Sequence, residues 1–294
     1  MTTEIPKELK TDLPQTTWGK ILSATPVVMA VIATMLAGLS SSEMTKAQYD
    51  RSLAAQLQSK AGDQWGYFAT KKTRSLVQRD TLDVLQTLAP ERPLETADIG
   101  KTTAEVQQAL FTGELPQSPA LRAVDDNLKA ALEALENGKP ESEIAAALTK
   151  VNDATLNEAL LAGRERANSF DTMLKPVSQT MDQIEKTYSS TSPATAHKLA
   201  AARLRYTANR YDAEAKLNQV IANIYELQVR KSNASAERHH KRSGIFFYGM
   251  LAAQLAVIVA TFSIAARKRN WLWSIAAAAG AVAVSFAVYV YVCM

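Results

Sequence analysis

The chain has 294 residues, with 33 Lys plus Arg, 29 Asp plus Glu and a formal charge of +4. Gly and Pro are sparse, helix-forming Ala, Leu, Gln, Glu, Lys and Arg abound, and alternating β-branched runs are few, so the fold class is all-α. No one-signed basic face is visible, which argues against a nucleic-acid partner, and the single Cys293 excludes an internal disulfide framework or a Cys-based metal cluster.

Residues 1–18 form a polar tail carrying Lys7 and Lys10. Ile21–Leu39 follows, 19 residues without a charge. A helix rises about 1.5 Å per residue, so roughly 20 residues cross a hydrocarbon core of about 30 Å. The first transmembrane helix is therefore expected over 19–40, although Pro26 and several Ser and Thr interrupt it. A cleaved signal peptide is the competing reading. Its apolar core would be about 7–15 residues, shorter than this run, and Leu39-Ser40-Ser41 is a weak cleavage site, which favours an uncleaved anchor.

From 41 to 89 the chain has almost no helix breaker. Met44, Tyr49, Leu53, Leu57, Trp65, Phe68, Leu76, Leu82 and Leu85 draw an apolar stripe along one long helix, the first arm of a stalk. Residues 90–191 read as a small helical cap of shorter helices. One lies near Ala104–Phe111. One starts at Ser118-Pro119 and stops at Asn137-Gly138-Lys139-Pro140. The next follows Pro140, with Glu141 and Glu143 at its positive end and Leu148, Val151, Leu156 and Leu160 on its buried side. Another runs from Asn168 to Tyr188.

Ser192-Pro193 opens the returning arm, 192–242. There Leu199, Tyr206, Ala213, Val220, Leu227 and Ala234 recur every seven residues, with Leu217 and Ile224 at the fourth position, the condition for an antiparallel coiled-coil-like stalk. The last 52 residues, 243–294, hold two more uncharged runs, Ile245–Ala266 and Trp271–Met294. Interfacial aromatics accompany the three runs: Trp18, Phe246, Phe247, Tyr248, Trp271, Trp273, Tyr289 and Tyr291. Arg267-Lys268-Arg269-Asn270 is the whole link between the last two, so they form a hairpin. Three cations in so short a loop put 267–270 and the amino terminus in the cytoplasm and the helical domain outside it. The basic cluster Arg238-His239-His240-Lys241-Arg242 counts against that orientation, but long loops obey the rule poorly.

Three features carry candidate chemistry. Asp63, Gln64, Trp65, Tyr67 and Phe68 gather aromatic and polar groups on about two turns, with Lys71 and Lys72 following, either as an interaction groove or as a helix crossing at which Trp65 and Phe68 bury together and Gly66 permits close approach. Arg238, Lys241, Arg242, Arg267, Lys268 and Arg269 would contact lipid headgroups. His239 and His240 are adjacent, diverge on a helix and cannot chelate one ion together. Within the spans no Asp, Glu, Lys, Arg or His occurs, which disfavours a pump or coupled transporter. Small residues crowd the spans, with Gly249, Ala252, Ala253 and Ala256 in the second and Ala276–Ala283 in the third, and would allow association of helices in the membrane. No catalytic, cofactor or metal site is expected.

The segment Asp63-Gln64-Trp65-Gly66-Tyr67-Phe68-Ala69-Thr70-Lys71-Lys72 resembles the signature of an uncharacterised bacterial membrane family, domain of unknown function 4337. Arg267-Lys268-Arg269-Asn270-Trp271-Leu272-Trp273 is similar to that family's basic hairpin loop followed by Trp. The likeness covers the first arm, the end of the second and all three spans, and 90–190 is longer than the family leads one to expect. Ala69 and Thr70 stand where Gln and Ala are usual. The resemblance implies a bacterial inner membrane, for which the side opposite the basic hairpin loop would be the periplasm, and brings no activity. The leading expectation is a non-enzymatic, membrane-anchored scaffold that self-associates as a homo-oligomer in the lipid bilayer. A sensor or signal transducer working with an unidentified protein partner is the alternative, and an oligomeric channel stands last.

Overall fold

The computed structural model describes residues 17–88, 94–99, 102–116, 125–189, 193–265 and 269–293. Eight helices run in order among them: α1 (Thr17–Leu88), α2 (Thr96–Ile99), α3 (Ala104–Thr112), α4 (Asp126–Glu136), α5 (Glu141–Leu148), α6 (Asp153–Ser189), α7 (Pro193–Ala265) and α8 (Arg269–Cys293). No strand occurs among the described residues. The expected all-α class holds, and α1, α7 and α8 are long and apolar enough to cross a membrane. The chain divides into two compact units, Met1–Ser52 with Ser232–Met294, and Leu53–Lys231.

The first unit is built from parts of α1, α7 and α8, and its pattern inverts that of a water-soluble core. Small side chains fill the inside: Ala253, Ala256, Ala276 and Ala283 have no exposed surface, and Ala253 and Ala283 pack with Ala33, Leu36, Phe246 and Val290. Large apolar side chains point out, among them Val27, Val28, Val31, Met35, Leu251, Leu255, Ile258, Phe262, Val282, Val284 and Val288. Water would penalise that arrangement and lipid does not, whereas close helix contact needs small residues. Gly249 shows how close: an added Cβ would stand 3.3 Å from the carbonyl oxygen of Ala283 and 3.3 Å from the Leu36 and Phe286 side chains. Gly249, Ala253, Ala256, Ala276, Gly280 and Ala283 of the small faces are thus buried within the chain, while Ala278 and Ala281 stay exposed.

In the second unit three long helices, α1, α6 and α7, run beside one another. Ala61, Leu160, Ile221, Ile224 and Tyr225 join all three in one cluster. Ile99, Val106, Leu110, Phe170, Leu174, Val177, Leu199 and Tyr206 tie α2 and α3 to α6 and α7. A third cluster, with Leu128, Ala131, Ile144, Leu148, Val151, Leu156 and Leu227, seats α4 and α5 on the same pair. Residues 221–229 of α7 are buried on almost every side except Glu226, because neighbours cover the helix all round.

The first span and first arm are one helix of 72 residues, the uninterrupted course that the lack of a helix breaker allowed. Other expectations are corrected. The region 90–191 is not confined to a cap: α6 runs along α7, from Asn157 at Gln228 to Glu185 at Arg203, and α4 and α5 meet α7 at Asn223 and Arg230. The helix expected to carry Leu148 through Leu160 is broken. α5 stops at Leu148, Asn152 accepts the Thr155 backbone N–H at 2.6 Å as a cap, and α6 then continues unbroken through Asn168–Tyr188 with Pro176 inside. The expected stop at Asn137-Gly138 holds, since Gly138 adopts φ +62° and the Lys139 N–H donates back to the Ala134 carbonyl at 3.0 Å. The start expected at Ser118-Pro119 lies outside the described residues, as do Arg267 and Lys268. α8 opens at Arg269, so Arg269 and Asn270 are helical rather than loop.

The stripe on α1 is also shifted. Its buried line is Ser40, Ala47, Ala54, Ala61, Ser75 and Leu82, mostly small side chains at multiples of seven, with Phe68 half-buried at the one remaining place. The larger residues expected on the stripe flank this line or leave it: Leu53 and Leu57 are half-buried, while Tyr49 and Leu76 are 69% and 50% exposed.

Candidate functional site

The segment 63–72 lies on α1 in the second unit, where it runs antiparallel to α7. Trp65 and Phe68, three residues apart, meet edge to face with ring centroids 5.4 Å apart. The indole N–H of Trp65 donates to Glu226 at 2.7 Å. Lys71 Nζ pairs with Glu214, and Lys72 Nζ with Asp212 at 2.5 Å. Three side chains of this segment thereby reach acids spaced along α7, which fixes the sliding position of the two helices. Gly66 takes no part in the close approach: it is exposed, and nothing lies within 4 Å of where its Cβ would be. Asp63 is exposed too, on the outer side.

Around Lys71 the charges form a layer crossing the three helices. Arg210 Nε donates to Glu214 at 2.6 Å, its Nη1 donates to Ser178 at 3.2 Å, and its Nη2 stands 3.6 Å from Asp171 on α6. Tyr211 lies under two cations, Lys71 Nζ at 5.1 Å and Arg74 at 5.8 Å from its ring centre. The Asp212 carboxyl is held below the ordinary carboxylate range by the Lys72 hydrogen bond, which overcomes the opposing effect of burial with help from Lys216. Burial pushes the Tyr206 hydroxyl up, so it stays neutral.

Beside this layer Gln64, Tyr67 and Lys71 of α1 face Arg164 and Asn168 of α6 and Asn218 of α7 across a groove of about 390 Å³. Trp65, Phe68, Lys71 and Lys72 thus join helices, while Gln64, Tyr67 and Lys71 line a polar groove.

In the first unit, Ser40 and Ser243 bond to each other's backbone carbonyls at 3.0 and 2.8 Å. Next to them Glu43 is buried, with His239 Nδ1 2.6 Å from one carboxylate oxygen and Lys46 Nζ 2.8 Å from the other. Burial raises the Glu43 carboxyl, but the hydrogen bonds and charges of Lys46 and His239 together outweigh it and hold the group below its ordinary value. Sequence reading missed this pair, because 196 residues separate its members and nothing local marks it. Of the cations expected at headgroups, Arg238 and Lys241 are exposed, whereas Arg242 is half-buried with its Nε enclosed. Arg267 and Lys268 lie outside the described residues and only the backbone of Arg269 is described. Among the described residues no group of three His, Cys, Asp or Glu side chains could hold a metal ion.

Residues 18–148 match a family model described as a domain of unknown function (DUF4337). The matched stretch begins where the resemblance leads one to expect and includes the 63–72 segment, but it runs on through α5 and ends before the second arm and the hairpin. No curated protein and no solved structure matches the chain. Over residues 18–148 the chain thus carries the domain of unknown function DUF4337.

Proposed function

We propose that the chain is a non-enzymatic, membrane-anchored helical scaffold that self-associates at a bacterial inner membrane, with its helical domain on the periplasmic side. Anchoring is supported by the three apolar helices and by the small-inside, large-outside pattern of the first unit. The observation that carries self-association is the outer face of α1 in the second unit. There Leu76, Val77, Val84 and Leu88 are 50%, 54%, 56% and 79% exposed, a strip of large apolar side chains in a charged stretch of sequence. From Leu76 to Leu88 the helix rises about 18 Å, and large apolar side chains exposed on one helix face mark association sites in proteins that are otherwise polar outside. Arg79, Asp80 and Asp83 put both signs of charge in the same stretch, which suits a second copy better than a one-signed partner.

The test uses Val84→Cys in a Cys293→Ser background, treated in native membranes with a bismaleimide. Covalent dimers are expected, and their absence at every reagent length would contradict the proposal. A sensor working with a partner protein is the second reading, supported by the polar groove of Gln64, Arg164 and Asn218.

A further inference from the structure

The groove between α1, α6 and α7 brings two features together. The first is a guanidinium that has no carboxylate partner among the described residues. Arg203 pairs with Asp182 and Glu185, Arg210 with Glu214 and Asp171, and Arg230 with Glu141. Arg164 instead donates to the Tyr225 hydroxyl and stands 5.5 Å from that ring centre, which leaves most of its five N–H donors unused. The second is an orphaned acceptor: the Gln64 carbonyl oxygen is buried and receives no hydrogen bond. Buried carbonyl oxygens are rarely left so. Both side chains line one groove, together with Asn168 and Asn218. Asn218 Nδ2 donates to the Glu214 backbone carbonyl at 2.8 Å, which leaves its own carbonyl oxygen open. No acid lines the groove, and its volume of about 390 Å³ falls at the small end of ligand sites.

We propose that this groove binds a small carboxylate that also carries an amino or hydroxyl group, with the carboxylate on Arg164 and the donor on Gln64. The guanidinium fork matches a planar carboxylate through two parallel N–H···O bonds. Phosphate is the poorer fit, because its oxygens act chiefly as acceptors and would leave the Gln64 carbonyl unanswered. Asn168 and Asn218 carry donors and acceptors both, which suits a ligand that carries both. Tyr67, 57% exposed, supplies an aromatic wall open to solvent. The site does not depend on self-association, since the α1 strip used for that lies at 76–88, and cross-linking at Val84 reads one while titration reads the other.

The test is calorimetric titration of the full-length chain in detergent with two matched pairs of probes. L-malate is compared with succinate, which lacks its hydroxyl, and L-glutamate with glutarate, which lacks its amine. Acetate and inorganic phosphate are controls. The expected result is saturable binding of malate or glutamate, at least tenfold tighter than its matched analogue and than either control. Arg164→Gln weakens that binding at least tenfold, Gln64→Leu abolishes the preference over the analogue, and both variants keep the helical circular dichroism of the parent. Asn168→Leu, at an exposed position, repeats the loss of affinity should Arg164→Gln unfold. No saturable heat from malate or glutamate, equal affinity within both pairs, tighter binding of phosphate, or undiminished affinity in folded Arg164→Gln would each overturn the proposal.

Discussion

Trp65 shows how one side chain can join two helices by two kinds of force. Its ring packs on Phe68 and its N–H is anchored by Glu226. Trp65→Phe keeps an aromatic ring and loses the hydrogen bond, so it is expected to cost about 1 kcal/mol. Trp65→Ala removes both and, at a half-buried site, is expected to cost about 2–3 kcal/mol, toward the lower end of the range for large-to-small changes. Thermal unfolding of the full-length chain in detergent distinguishes the two, and equal losses would place the whole effect in the hydrogen bond. Asp212 supplies a pH dependence. Its folded carboxyl lies below its ordinary value, so its contribution is present in full above about pH 4 and is lost as pH falls through the depressed value. Lys72, its main partner, is 43% exposed, and solvent screening holds the pair to under about 1 kcal/mol at neutral pH. Asp212→Asn is accordingly expected to leave stability at pH 7 nearly unchanged and to flatten its decline as pH falls below about 4. An equally steep acid decline in the variant would remove Asp212 from the account.

The long helices approach one another along lines of small side chains. On α1 these are Ser40, Ala47, Ala54, Ala61 and Ser75. On α7, Ala208, Ala215, Ala222, Ala236 and Ser243 recur at multiples of seven, with Val229 completing the row. In the second unit this row of α7 lies among Asp212, Glu214 and Glu226, the acids that reach α1. Small residues at the contact bring helix axes to the near end of the usual 8–10 Å range. Ala61→Leu therefore overpacks the seam and is expected to cost about 1–3 kcal/mol. Gly66→Ala, five residues away, meets nothing within 4 Å and is expected to stabilise by up to about 1 kcal/mol through helix propensity. The two variants, unfolded side by side, place the seam; a stabilised Ala61→Leu or a destabilised Gly66→Ala would move it. This seam was illegible in the sequence because alanine is common throughout a helical protein and its spacing does not stand out. The sevenfold spacing of Leu199, Tyr206 and Leu227 was legible, yet those side chains face α3 to α6 rather than α1. The break before α6 was hidden for a related reason: Leu148, Val151, Leu156 and Leu160 keep helical spacing across a turn that only the Asn152 cap reveals. What the sequence showed well were the uncharged runs and the Gly138 stop, where composition alone decides the outcome.

At the scale of the molecule, the apolar stretches carry small residues inward and large ones outward, and the association surface we propose is the exposed apolar side chains Leu76, Val77, Val84 and Leu88 of α1. Orientation has its own test. A cysteine at Glu133, an exposed position on α4, in the Cys293→Ser background is expected to react with a membrane-impermeant maleimide in intact spheroplasts. Reaction only after lysis would put the helical domain in the cytoplasm. The most direct test of the central claim is native mass spectrometry of the full-length protein in mild detergent, beside a Val77→Glu, Val84→Glu double variant. The account predicts masses at whole multiples of the 32.0 kDa chain for the parent and a shift to the single chain for the variant. A parent that is monomeric at every detergent and protein concentration, or a variant that assembles as the parent does, would contradict it.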